Sequence, residues 1–213
     1  MPVISGVRVL WPKGLNSAYY LDLNNFSRHT AWAHGFMHQY ALWLGLVLMT
    51  LAFLAAYAQV WWRRDVHAAA LMGLGGIGTL IAFGVNQLVG DAAAELRPYD
   101  TYRSALVLVG KVSDYSFPSD HSVVAGALLT SIVLVAVRPS TTLGWLCAVA
   151  SVLTLFLCFA RVYVGAHYPG DVVAGLLLGS VVVLVVSLLR PLAYRIADVV
   201  VSTPLVVGVR RPG

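Results

Sequence analysis

Charge is what this chain has least of. Only 11% of its 213 residues are charged while 59% are hydrophobic, and a water-soluble domain of this length has too little interior to hide so much apolar surface. A soluble globule is excluded, so lipid must solvate much of the chain. Cysteine is nearly absent too. Cys147 and Cys158, the only two, lie in one apolar stretch. They would stand about 16 Å apart along a helix, which excludes a disulfide between them and leaves them as small buried hydrophobes. No redox compartment follows. A basic patch is also missing. The net charge is +5, but the basic residues are scattered between apolar runs, which argues against nucleic acid and for anionic lipid headgroups as the partner. With no linker, repeat or low-complexity tract, residues 1–213 read as a single domain.

What is present is membrane-length hydrophobicity. Residues 40–62, 67–89, 120–137, 142–164 and 171–189 each meet the requirement of roughly 17 to 25 mostly apolar residues for a spanning helix. The connections Arg63-Arg64-Asp65 and Arg138-Pro139-Ser140 allow only tight hairpins between antiparallel neighbours. The expected fold is an all-α integral membrane bundle of about five transmembrane helices.

Residues 1–39 differ. Asn16, Asp22, Asn24, Asn25, Ser27 and Arg28 interrupt apolar residues, with Trp11, Tyr19, Tyr20, Phe26 and Trp32 among them, the pattern of an interfacial helix lying along the bilayer. The segment has no basic start, single apolar core or small-residue cleavage site, so it does not read as a cleaved signal peptide. Residues 190–213 read as a C-terminal tail. His29, His34 and His38 share a helical spacing, but no Cys or carboxylate supports them as metal ligands, and they read as an interfacial polar face. Gly73, Gly75, Gly76 and Gly78 lie mid-helix and indicate close helix packing. Asn86 and Gln87 fit either a bond across helices or a pocket lining.

Three short stretches carry the ionisable groups that stand beside these apolar runs: Arg97-Pro98; Pro118-Ser119-Asp120-His121; and Arg161 followed by His167 and Asp171. Such groups beside hydrocarbon are costly and mark function. Five crossings bring all three to one side of the membrane. Seven basic residues fall on each side, and setting aside Arg97 and Arg161 as site residues leaves seven against five, so the positive-inside rule puts the site outside the cytoplasm.

The residue types suit phosphate. A phosphoryl group in transfer spreads charge over its equatorial oxygens, where fixed guanidiniums such as Arg97 and Arg161 lower the barrier. Ser119 stands at the expected start of a helix, whose free N–H groups and dipole favour an anion, so its hydroxyl and the amides of Asp120 and His121 form a cradle. A cap or surface role for Asp120 is equally consistent. His167 and Asp171 are four residues apart around Pro169, so the carboxylate can hold the imidazole in one tautomer for attack on phosphorus. His121 then protonates the leaving oxygen and activates water on the phosphohistidine.

Together these stretches resemble the motifs of the type 2 phosphatidic acid phosphatase (PAP2) superfamily: Lys-x6-Arg-Pro, Pro-Ser-Gly-His and Ser-Arg-x5-His-x3-Asp. The resemblance spans residues from about 86 to 171. Asp120, the lead-in Ser116-Phe117 and the run from Arg161 to Pro169 look most like bacterial undecaprenyl diphosphate phosphatases of the bacitracin-resistance type. Two positions depart from the pattern, Gly90 where the family has Lys and Ala160 where it has Ser. Arg103 and Lys111, in the loop between the first two motifs, are the expected replacements for the missing cation. The resemblance implies catalytic roles for His167, His121 and Asp171, and substrate binding by Arg97, Pro98, Ser119, Asp120 and Arg161. It implies no metal or cofactor, since guanidiniums and helix dipoles supply the positive charge. The expected activity is hydrolysis of a polyprenyl diphosphate through a phosphohistidine, recycling a cell-wall lipid carrier at the cell membrane. Phosphatidic acid or phosphatidylglycerophosphate as substrate, and a relative that binds lipid phosphate without cleaving it, are the competing readings. Oligomeric state is not readable.

Overall fold

The computed structural model describes residues 13–202. Trp11 of the interfacial pattern, and Arg8, Arg210 and Arg211 among the 14 basic residues, lie outside the described residues. Within them the chain forms α1 (Lys13–Arg28), α2 (His34–Gln39), α3 (Gly45–Trp62), α4 (Val66–Ala93), α5 (Pro98–Thr101), α6 (Asp120–Ala136), α7 (Thr141–Tyr163), α8 (Pro169–Ser187) and α9 (Arg190–Ser202), with no strand among the described residues. Four stretches are long and apolar enough to cross a membrane: Ala31–Trp62, Val66–Thr101, Thr141–Tyr163 and Pro169–Ser187. The fifth expected span, α6, is a shorter apolar helix of 17 residues at the centre of the bundle. This all-α membrane bundle is the expected class.

Local chemistry fixes the helix ends. At one end, Asp65 caps α4 by accepting from the Ala68 amide at 2.8 Å and also takes the Arg138 guanidinium at 2.9 Å, so one carboxylate ties two hairpins together. Ser140 caps α7 in the same way. At the other end, Pro98 and Pro169 occupy the first turns of α5 and α8, where a missing N–H costs nothing.

The central pair is α6 and α8, packed at backbone contact. A Cβ on Gly179 would run into the Val123 carbonyl and stand 2.9 Å from the Ala127 amide, and neither backbone atom can swing aside. Gly179→Ala is therefore expected to destabilise the bundle by about 1–3 kcal/mol. A melting temperature in detergent equal to that of the wild type would contradict this packing.

Three sequence expectations are revised. The first span does not start at residue 40, because helical structure runs on from Ala31 through a 3-10 turn, α2 and a π-helical turn at Tyr40–Leu44 into α3. His34 and His38 in this stretch bond to the carbonyls of Ser27 and Leu108, and His29 just before it to that of Asn25. The polar residues of α1 are not simply a headgroup-facing stripe. Asn24 pairs with both backbone groups of Leu106, at 2.7 and 3.0 Å, and Asn16 accepts from the Gly170 amide, while Tyr20 is fully buried against Tyr102 and Tyr168. Thus α1 is docked over the turn that starts α8. Lastly, residues 190–202 are a helix rather than a tail. It packs on α4 through Tyr194 stacked on His67, 4.4 Å between ring centres, and Asp198 bonded to the same imidazole at 3.0 Å.

Candidate active site

All three sequence stretches meet where α4 ends and α6 and α8 begin. Gly165 makes the turn that follows α7 possible: its φ of +81° is left-handed, and the Leu106 carbonyl occupies the space a Cβ would need. The turn delivers His167, only 2% exposed, into the centre of the site.

His167 is held from both sides. Its Nδ1 lies 2.8 Å from the Ser116 carbonyl, so that nitrogen carries the proton and the Nε2 lone pair points the other way. Around Nε2 stand Arg161 Nη2 at 2.9 Å and Arg97 Nη1 at 3.4 Å. Burial, and after it the charges of Arg161 and Arg97, push the imidazole pKa well below its ordinary value. The ring is therefore neutral at physiological pH, with an unprotonated nitrogen facing two anion-binding groups.

Asp171 holds the imidazole less directly than the four-residue spacing suggests. Its nearer oxygen is 3.6 Å from Nδ1, too long for a hydrogen bond, and that oxygen instead accepts from the Ser116 hydroxyl and, at 2.9 Å, from the Tyr168 amide. Ser116 is thus the bridge, its carbonyl on the histidine and its hydroxyl on the carboxylate. Only its position before Phe117 drew attention in the sequence, because a backbone carbonyl leaves no sequence signature. Ser116→Ala should keep the carbonyl on His167 while losing one bond to a buried carboxylate. Thermal stability should fall by about 1–3 kcal/mol with turnover within roughly tenfold of wild type. Complete loss of turnover in a folded variant would contradict this division.

Arg97 is secured by Asp114 at 2.7 Å and by the Ala166 carbonyl at 3.1 Å. Arg161 donates to the Ala41 carbonyl at 3.1 Å, and His121 Nε2 sits 3.0 Å from the Leu42 carbonyl. Both carbonyls belong to the π-helical turn of the first span, where widening of the helix changes the i→i−4 pattern. Asp120 Oδ1 accepts from Asn86 at 2.6 Å and Gln87 at 2.9 Å, so these two residues serve both as a bond across helices and as cavity lining. Ser119 is the N-cap residue of α6, but its hydroxyl makes no cap bond and is buried without a partner.

A cavity of about 220 Å³ opens onto this arrangement, lined among others by Asn86, Gly90, Arg97, Asp114, Asp120 and His167. The structure brings Arg97, Arg161, His167 and Asp171 together, with Ser119 at the start of α6 beside them. His121 is turned toward the first span and is not part of the cavity wall. Pro98 is buried in the first turn of α5 and shapes the backbone after Arg97. Arg103 is exposed in the loop after α5, and Lys111 Nζ lies 5.6 Å above the Tyr99 ring; neither lines the cavity. Cys147 and Cys158 are both free.

A neutral histidine beneath two guanidiniums, at one end of a membrane-helix bundle, is an arrangement whose charge and geometry suit an anion. The chain belongs to the PAP2 superfamily, which residues 76–195 match. An undecaprenyl-diphosphatase of Sulfolobus acidocaldarius is 32% identical over 109 residues, 49% of this chain and 50% of that protein. The undecaprenyl-diphosphatase BcrC of Bacillus subtilis is 32% identical over 152 residues, 66% of this chain and 69% of that protein. The chain thus spans half the length of the first relative and about two thirds of the second. Among solved structures, that of Aquifex aeolicus LpxE superposes with a TM-score of 0.59 at 20% identity, over 84% of this chain and 98% of that one, a likeness of fold.

Proposed function

We propose that this protein is a membrane lipid phosphatase that removes the terminal phosphate of a polyprenyl diphosphate and returns the monophosphate carrier to cell-wall assembly. The observation that carries the reading is His167 Nε2, unprotonated and flanked by Arg161 and Arg97 beside a polar cavity. The names of the two relatives support the choice of substrate. The phosphate displaces the guanidinium donors from Nε2 and takes them for its own oxygens, which frees the lone pair.

Attack forms the Nε2–P bond and breaks the bond from phosphorus to the bridging oxygen, whose electron pair leaves with the lipid monophosphate. His121, released from Leu42, protonates that oxygen and then takes a proton from the water that cleaves the phosphohistidine, the electron pair returning to Nε2. Asp171 and Ser116 hold the proton on Nδ1 throughout. Ser119 and the start of α6 cradle the phosphate, and Asp120 borders it. Lys111 or Arg103 approaches the headgroup in place of the cation missing at Gly90. The reaction needs no metal, because guanidiniums carry the counter-charge. The site faces the extracytoplasmic side of the cell membrane.

Phosphate release by the purified protein from polyprenyl diphosphate, phosphatidic acid and phosphatidylglycerophosphate tests the reading. The diphosphate should give the highest kcat/KM. Faster release from a glycerophospholipid would reassign the substrate. Gly90 favours a second reading, a lipid-phosphate binder without turnover, for which binding without release from any of the three would decide.

A further inference from the structure

Asn86 has no part in the chemistry above, yet it is a polar side chain buried in α4, only 3% exposed. An amide in a membrane-length helix is costly unless its donors are satisfied, so the place where they are spent is informative. Both are spent on one short segment. Nδ2 donates to the Pro118 carbonyl at 3.2 Å and to Asp120 Oδ1 at 2.6 Å, gripping the residues on either side of Ser119. Gln87, one position on, donates to the same Asp120 oxygen at 2.9 Å.

A bond that only joined two helices could fall anywhere along the α4–α6 contact. These fall where α6 begins. The Ser119 amide donates to the Asp171 carbonyl at 3.1 Å, so α4 and α8 hold the segment from two sides. The first backbone bond of α6 runs from the Val123 amide to the Ser119 carbonyl at 3.0 Å, and the amides between them have no acceptor inside the helix. The Ser119 hydroxyl is buried with no partner among the described residues. Asn86, Gln87, Pro118, Asp120 and His167 all line the cavity. The clamped segment therefore borders the space that His167 faces.

We propose that Asn86, assisted by Gln87, is the positioning residue of the phosphate cradle. It acts through the Pro118 carbonyl and the Asp120 carboxylate, which fix the Ser119 hydroxyl and the first amides of α6 before the anion arrives. Donors held in place beforehand are not ordered at the expense of binding. The inference deepens the phosphatase reading and rests on it for the substrate. It also gives Asp120 a purpose beside an anion: the carboxylate is the handle by which α4 holds α6. The PAP2 motif has Gly at this position, with no side chain to hold.

The test is the purified full-length protein in detergent, wild type against Asn86→Ala, Asn86→Asp and the double variant Asn86→Asp with Asp120→Asn. Asn86→Ala should raise KM by about tenfold or more while kcat falls by less than about threefold, and the melting shift given by inorganic phosphate should shrink. Asn86→Asp sets two carboxylates face to face and should raise KM further. Adding Asp120→Asn restores an amide–carboxylate bond with donor and acceptor exchanged, and should recover at least about fivefold in KM. A merely structural tie would lower the melting temperature and leave both KM and the phosphate shift as in the wild type. That result in folded Asn86→Ala overturns the inference. Should Asn86→Ala fail to fold, Gln87→Ala decides, because this exposed amide holds the same carboxylate: about a threefold rise in KM is expected, and unchanged KM and phosphate shift overturn the clamp. Wild-type protein that phosphate stabilises but that releases none from any lipid would overturn the proposed function, leaving the clamp to stand or fall on the melting shifts.

Discussion

His167→Ala should abolish phosphate release, by at least about a thousandfold, the order lost when a nucleophile is removed from a group that acts as a unit. The reasoning is geometric. Among the described residues, Nε2 is the only nucleophilic side-chain atom held beneath both guanidiniums, so no described neighbour can take its place. A folded His167→Ala protein that still turns over would end the nucleophile assignment. His167→Gln, closer in size, separates lost chemistry from lost packing, since it should melt near the wild type and be equally inactive. The same geometry sets the pH response. Because burial and two flanking guanidiniums lower the imidazole pKa, the reactive neutral form persists as pH falls through the ordinary histidine value of about 6.5. The acid limb of kcat/KM should therefore lie well below that value, and a His167-dependent limb centred on it would contradict the observed environment.

Arg161→Gln carries the second large effect. This guanidinium is 6% exposed, and no carboxylate lies within ion-pair distance among the described residues; its partners are a histidine nitrogen and a helix carbonyl. A buried cation without a counter-ion destabilises the empty protein and is compensated when an anion arrives. The variant should lose about 100-fold or more in kcat/KM while melting no lower than the wild type, because the buried charge is gone. Inorganic phosphate should raise the melting temperature of the wild type and not that of Arg161→Gln. Equal phosphate protection of both proteins would show that the anion sits elsewhere. Arg161→Lys should recover only part of the loss, since a lysine cannot span Ala41 and the anion with one planar fork.

Much of this was legible without coordinates. Low charge and long apolar runs determine a membrane bundle, because unpaired backbone in hydrocarbon leaves helices as the solution for such runs. Motif spacing and the number of crossings bring Arg97, Arg161 and His167 to one end, since topology follows from counting segments. The α6–α8 contact is foreshadowed by Gly126, Gly175 and Gly179 only in hindsight, for the sequence does not name the partner helix.

Tertiary structure alone decided what each side chain touches. Ser116 became the hinge between His167 and Asp171 through one carbonyl and one hydroxyl, and a carbonyl is carried by every residue type. The π-helical turn at Tyr40–Leu44, where Arg161 and His121 find their acceptors, lies in a run whose composition is that of any apolar helix. Lys111 sits over Tyr99 rather than in the cavity because loop conformation, not loop composition, directs a long side chain. Glu95 was one acid among several in a polar loop until its burial and the bond from the Ser116 amide to its carbonyl set it apart. Periodicity and spacing record which groups reach the same end of the membrane. Hydrogen-bond partners and burial depend on distances between segments far apart in the chain, and only the packed structure sets those.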